Sequence, residues 1–204
     1  MASEVDIANL ALARLADVAN VSVINPPEAG TTAELVARFL PIARDSLLQM
    51  HAWDFATKTT RLAQLAKEPF THSYAYAVPV DMIKALSVMQ EGYGDKAFDF
   101  VVETNSDNQT VVLTDVDDAL LRYVARVSNV NRFSPLFVDA LSWMLAANLA
   151  GPIIRGELGQ SAANQCLKNA QSLTNQAIAA DVRQCHSRIS DKHLPSWMAW
   201  RKGV

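Results

Sequence analysis

The sequence predicts a mixed α+β protein: a helical bundle built from N- and C-terminal helices, a small antiparallel β insert between them, and an extended C-terminal tail. Three observations carry this reading. Apolar residues recur at three- and four-residue spacing up to about residue 50 and again after Ser134. Between those stretches, aromatic and β-branched residues alternate with polar ones at period two. The tail after Cys185 carries two tryptophans and no helical stripe. The expected organisation is N-terminal helices over 1–52, a β-rich insert over 53–128, C-terminal helices completing the bundle over 129–185, and a tail over 186–204.

Ser3 stands three residues before Asp6, a helix-start pattern, and Ile7, Leu10, Ala11, Leu15 and Val18 form one stripe, so a first helix is predicted from Ser3 to Val18. Asn25-Pro26-Pro27-Glu28-Ala29-Gly30 breaks the chain. Thr31 or Thr32 is expected to cap a second helix, with Leu35, Val36, Phe39, Ile42, Ala43, Leu47 and Met50 on its apolar face, an interruption at Pro41 and an end near His51. From Trp53 to Thr60 the period becomes two, which predicts a strand or an extended segment.

Tyr74, Tyr76 and Val78 alternate before Pro79, and Met82 to Met89 reads as a further strand. Phe98 to Val102 leads through Asn105-Ser106-Asp107-Asn108 to Val111 and Leu113, a β-hairpin pattern. Leu121, Tyr123, Ala125 and Val127 face one way and Arg122 and Arg126 the other, so a small antiparallel sheet is expected. Ser134-Pro135 supplies a cap and a first-turn proline for a helix from Leu136 to Ala150 that is apolar on nearly all sides, as at the centre of a bundle. Gly151-Pro152 should bend or end it. A last helix from Ser161 to about Cys185 carries Ala162, Cys166, Ala170, Leu173 and Ala177, small residues that permit close helix approach.

With 204 residues, half apolar and 19% charged, the chain is long enough for one substantial core or two small ones and too apolar to be disordered. No apolar run approaches the ~20 residues of a membrane span, and the N-terminus carries acids where a signal peptide carries bases, so no membrane or export targeting is expected. The formal charge of −3 offers no overall electrostatic reason to bind nucleic acid. Cys166 and Cys185 lie in one predicted helix, about 28 Å apart at ~1.5 Å per residue, too far for a disulfide and consistent with a reducing compartment.

The order of landmarks resembles the tail tubular protein A, or head-to-tail adaptor, family of short-tailed bacteriophages. The family's first-helix pattern is similar to Asn9 to Ala16 (NLALARLA), without its usual glycine. Val23 to Glu28 corresponds loosely to its acid-containing loop, and His51-Ala52-Trp53-Asp54-Phe55-Ala56 to its tryptophan motif, followed by Lys58 to Leu62. Tyr74-Ala75-Tyr76-Ala77-Val78-Pro79-Val80-Asp81 looks like its Y-x-Y-x-L/V-P-x-D element. The resemblance covers most of the chain to about residue 185, and the order of these short motifs carries it. It implies a structural virion protein in the viral tail at the head-tail junction, assembled in the host cytoplasm. Such a protein is a homo-oligomer, commonly a dodecameric ring, with the portal protein above, the tail tube or nozzle protein below, and DNA passing through the lumen without sequence recognition.

Local charge suggests where such a subunit makes contacts. Asp95 to Asp118 holds seven acids and one lysine, a balance of −6, whereas residues 181–204 hold five Lys/Arg and two Asp, a balance of +3. Unlike patches of this kind fix register between partners. The expected partner-binding residues are Asp107, Asp115 and Asp117 in the acidic segment and Trp197, Trp200, Arg201 and Lys202 in the tail, where tryptophans beside basic residues suit interface anchoring. Trp53, Phe55, Tyr74, Tyr76, Pro79 and Asp81 are expected to be structural, packing the core or setting a turn.

No cofactor, metal or catalytic residue is expected. Cys185-His186 and His193 lack the spacing of a zinc site, and neither G-x-S-x-G nor a phosphate-binding glycine loop occurs. Asp115, Asp117 and Asp118 keep open a tail-associated hydrolase of cell-wall glycan or surface polysaccharide, which would need two carboxylates ~5–9.5 Å apart in a cleft. A DNA-contacting module would instead work through lumen-facing Arg or Lys and be salt-sensitive.

Overall fold

The computed structural model describes residues 3–17, 20–66, 71–94 and 96–185, with side chains through Arg183. The protein is mixed α+β, its sheets antiparallel. It divides into two compact units: Pro41–Arg132, and a unit whose described residues fall within Met1–Leu40 and Phe133–Val204. The β-rich unit therefore begins before residue 53 and ends after residue 128, because the second half of a helix and a short 3-10 turn, Val130–Arg132, belong to it.

Helix α1 spans Glu4–Arg14. Ser3 caps it: its hydroxyl accepts the Asp6 N–H (3.1 Å) while the Asp6 carboxylate accepts the Ser3 N–H (2.8 Å), a reciprocal capping box. That carboxyl is held below its ordinary range by the two bonds to Ser3. The helix stops short of the expected Val18, which lies outside the described residues; Ala16 turns the chain at φ 55°. Its buried face is Ile7, Ala8, Ala11 and Leu12, and Leu10 is exposed, so the predicted stripe was rotated. At ~100° per residue Leu10 lies about 200° round from Ala8, and one apolar face cannot hold both. Arg14 donates to the Asp139 carbonyl (3.0 Å), pairs with the Asp139 carboxylate and stacks 4.2 Å from the Trp143 ring centroid.

Helix α2 spans Thr31–Met50. Gly30, not Thr31 or Thr32, holds the cap position, its carbonyl accepting the Glu34 N–H. Pro41 sits on the exposed side of a continuous helix, where it removes the main-chain bond that the Ala37 carbonyl would have accepted. Ala33, Val36, Leu40, Ala43, Leu47 and Leu48 are buried, whereas Ile42 and Met50 of the predicted stripe are half exposed.

The β-rich unit holds two antiparallel sheets, not the single sheet expected. Strands β1 (Thr57–Arg61), β4 (Met82–Gln90) and β7 (Ala119–Ala125) run in the order β1-β7-β4; β2 (Ala63–Gln64), β3 (Tyr74–Ala77), β5 (Phe100–Thr104) and β6 (Thr110–Thr114) run β2-β3-β6-β5. The sheets meet at both edges. Only Leu62 separates β1 from β2, its N–H bonded to the Ala119 carbonyl, and a single bridge joins Val88 of β4 to Phe98 ahead of β5. Between them Leu62, Tyr76, Val88, Val112, Leu121 and Tyr123 form one core. Period two identifies strands but not which strands share a sheet, and a chain that changes sheets at one buried leucine leaves no break in the pattern.

In the other unit, α3 (Pro135–Ile154) starts as expected from Ser134, whose hydroxyl accepts the Phe137 N–H, with proline at the first helical position. It runs through Gly151-Pro152 and ends only at Arg155 (φ 59°, ψ 164°). Helix α4 (Gly156–Cys185) follows at once, five residues ahead of the predicted Ser161. Helix α3 packs against both α1 and α4. The two helices approach closely at Gly159, where an added Cβ would lie 3.1 Å from the Ala150 carbonyl oxygen. Cys166, Ala170, Thr174 and Ala177 continue the buried stripe, and both cysteines lie in this one helix. The expectation that no apolar run approaches spanning length needs correction: α3 is long and apolar enough by length and composition to cross a membrane, although half of its apolar window is buried by protein.

Candidate assembly surfaces

The two motif segments occupy joints of the β-rich unit. Trp53 lies in the turn between α2 and β1; of the strand or extended segment expected from Trp53 onward, strand begins only at Thr57. Helix α2 ends at Met50, so its last carbonyls lack intrahelical donors. The Trp53 indole N–H supplies one of them, donating to the Leu47 carbonyl (2.9 Å) from a fully buried position. Its ring stacks on Phe55 (centroids 5.9 Å) and meets His51 edge-on (5.0 Å).

Tyr74 and Tyr76 lie on β3 with ring centroids 6.3 Å apart. Tyr76 is buried and donates its hydroxyl to the Val116 carbonyl (2.8 Å), tying β3 to the segment before β7; burial pushes its pKa up. Pro79 opens the turn into β4, its carbonyl accepting the Met82 N–H (3.0 Å), with Val80 fully exposed at the tip. Asp81 gathers three strands. Its carboxylate accepts Lys58 Nζ of β1 (2.6 Å) and the Tyr123 hydroxyl of β7 (2.9 Å), and its carbonyl accepts the Arg126 N–H (2.6 Å). The Lys58 bond holds this carboxyl below its ordinary range, while burial and the bond to the Asp81 carboxylate push Tyr123 up to about 12.

The acidic segment does not form one patch. Asp107 sits in the β5–β6 hairpin turn, where its N–H and that of Gln109 donate to the Asn105 side chain (both 2.9 Å) and Asn108 adopts φ 63°. Asp115 and Asp117 follow the other end of β6, a strand of five residues, or roughly 17 Å. Asp115 accepts both the N–H (2.8 Å) and the hydroxyl (2.9 Å) of Ser73, bonds that hold its carboxyl low and clasp the start of β3 to the end of β6. Asp117 accepts the Asp118 N–H (2.9 Å), and Asp118 lies near Arg61 (3.8 Å), which also pairs with Glu91. All three predicted acids are exposed, but only Asp107 stands on the hairpin.

Trp197, Trp200, Arg201 and Lys202 lie outside the described residues, as do His186 and His193. Among the described residues no group of three His, Cys, Asp or Glu is placed to hold a metal. Sequence reasoning missed the Lys58-Asp81-Tyr123 cluster, since its members stand on three strands with no spacing to link them. It also missed the outer edge of β5, where Val101 and Val102 are both exposed; the hairpin pattern alone could have flagged it, because a terminal hairpin strand has a partner on one side only. No protein-family model matches the chain, and no curated protein matches it.

Proposed function

We propose that this chain is a structural virion protein, a ring-forming head-to-tail adaptor that joins a capsid portal to the tail tube or nozzle of a bacteriophage and lets DNA pass. The observation that carries the reading is the role of the two segments on which the family resemblance rests. Trp53 completes the end of α2 and Asp81 bonds to Lys58 of β1 and Tyr123 of β7, so both motifs work as joints of a scaffold, which supports a structural role.

In this reading α1, the part of α2 up to Leu40, α3 and α4 make a helical bundle, and the β insert and the tail 186–204 make the contacts between copies and with the portal and tail proteins. Such head-to-tail contacts are heterologous and close into a ring, of about twelve copies in the family the chain resembles. The protein is then non-catalytic and needs no cofactor. DNA in the lumen meets a chain of net charge −3, so contacts would be few and free of sequence recognition.

Native mass measurement of the full chain across a concentration range, alone and with its portal protein, tests the reading. A discrete closed assembly under either condition is expected. A chain that stays monomeric throughout and never joins a portal overturns it.

A further inference from the structure

Among the described residues, the outer edge of β5 has no strand paired along it. β5 is the terminal strand of its sheet and pairs along its length with β6. Two bonds fix the direction of its backbone groups. The Phe98 N–H donates to Val88, away from β6, while the Asn105 N–H donates to Gln109 across the hairpin (both 2.9 Å). Because successive residues alternate, the N–H and C=O of Val102 and Thr104 point outward. Among the described residues, no strand pairs with β5 there. Val101 and Val102, on opposite faces, are 44% and 40% exposed, an apolar exposure that edge strands ordinarily avoid.

Charge selects what can add to this edge. Asp99, Glu103 and Asp107 flank or sit on the strand, and no Lys or Arg occurs from Phe98 to Asp118. A second β5 would place like charges opposite each other, which is unfavourable. The fitting partner is an extended, basic segment with apolar side chains for the two valines. Residues 186–204 supply that charge and those side chains: they hold four Lys/Arg against one Asp, and the run after Pro195 contains Trp197, Trp200, Arg201 and Lys202 without a further proline. We propose that the outer edge of β5 takes up, by strand addition, the basic C-terminal segment of a neighbouring copy of this chain. The proposal rests on the ring reading, which supplies the neighbour.

The test uses full-length protein and reads amide hydrogen exchange at Val102 and Thr104 together with assembly state. Val102→Pro removes one outward N–H and leaves the ladder to β6 intact, a placement that edge strands tolerate; the pair Arg201→Glu with Lys202→Glu changes only the tail. In assembled wild-type protein both amides should exchange at least tenfold more slowly than in the tail variant, and Val102→Pro should return Thr104 to the fast rate. Should Val102→Pro fail to fold, the tail variant carries the comparison. Assemblies in which Thr104 exchanges freely overturn the inference and leave the ring reading standing. Slow exchange in a dilute monomer overturns the assignment to a neighbour, because the segment then pairs within its own chain. A chain that never assembles sinks both.

Discussion

Trp53→Phe separates a hydrogen-bonding role for the indole from simple packing. The substitution keeps an aromatic ring against His51 and Phe55 but removes the donor that completes the Leu47 carbonyl. That carbonyl belongs to the last turn of α2, where no intrahelical donor replaces the indole. A buried acceptor left without a partner costs ~1–3 kcal/mol. The smaller ring leaves a void in a site that is 1% exposed, which adds about 1 kcal/mol. The expected loss is therefore about 2–4 kcal/mol, measured as a lower urea midpoint at unchanged slope by circular dichroism. Amides in the last turn of α2 should also exchange faster. A loss under ~0.5 kcal/mol, or a loss without faster exchange in that turn, would refute the capping role.

Further outcomes follow from other sites. Gly159→Ala should destabilise by ~1 kcal/mol although alanine favours helices by about as much, because the new Cβ would press on the Ala150 carbonyl oxygen at 3.1 Å and backbone yields little; a rise in Tm contradicts that close approach. Arg155→Gly should stabilise by ~1–2 kcal/mol, since φ 59° with ψ 164° is a region that glycine alone enters without strain; calorimetry showing no gain counts against the strain. Tyr123 binds its proton more tightly when folded, with a pKa raised to about 12 from 10.0, so stability should be full below pH 10 and fall between pH 10 and 12. Asp81 and Asp115 have lowered values, so their contribution holds above the ordinary carboxylate range and is lost as pH falls through the folded values. Denaturant melts across pH 2–12 read both limbs, and Tyr123→Phe should shrink the alkaline one, leaving the part that Tyr76, whose pKa burial also raises, contributes. Truncation after His186 should lower the assembly state seen by native mass measurement; unchanged assembly removes the tail from the interface.

Much of the element order was legible because local signals sufficed. Ser3 with Asp6, and Ser134 with Pro135, are cap patterns whose donors and acceptors lie within one turn, and the structure forms both. Asn105 to Asn108 likewise carries its own turn bonds. What failed depends on partners distant in sequence. Gly151-Pro152 reads as a break, yet α3 continues because packing against α1 and α4 outweighs a local helix penalty. The acidic run reads as one patch until β6 separates Asp107 from Asp115 and Asp117. Asp81 reads as a turn residue, and its bonds to Lys58 and Tyr123 exist only once β1, β4 and β7 pair.

Electron microscopy of the purified full-length chain, with and without its portal protein, tests the central claim most directly. Closed rings of uniform subunit number with a central channel wide enough for duplex DNA, formed alone or on the portal, are the expected result. Monomers or irregular aggregates that never sit on the portal would contradict the adaptor reading.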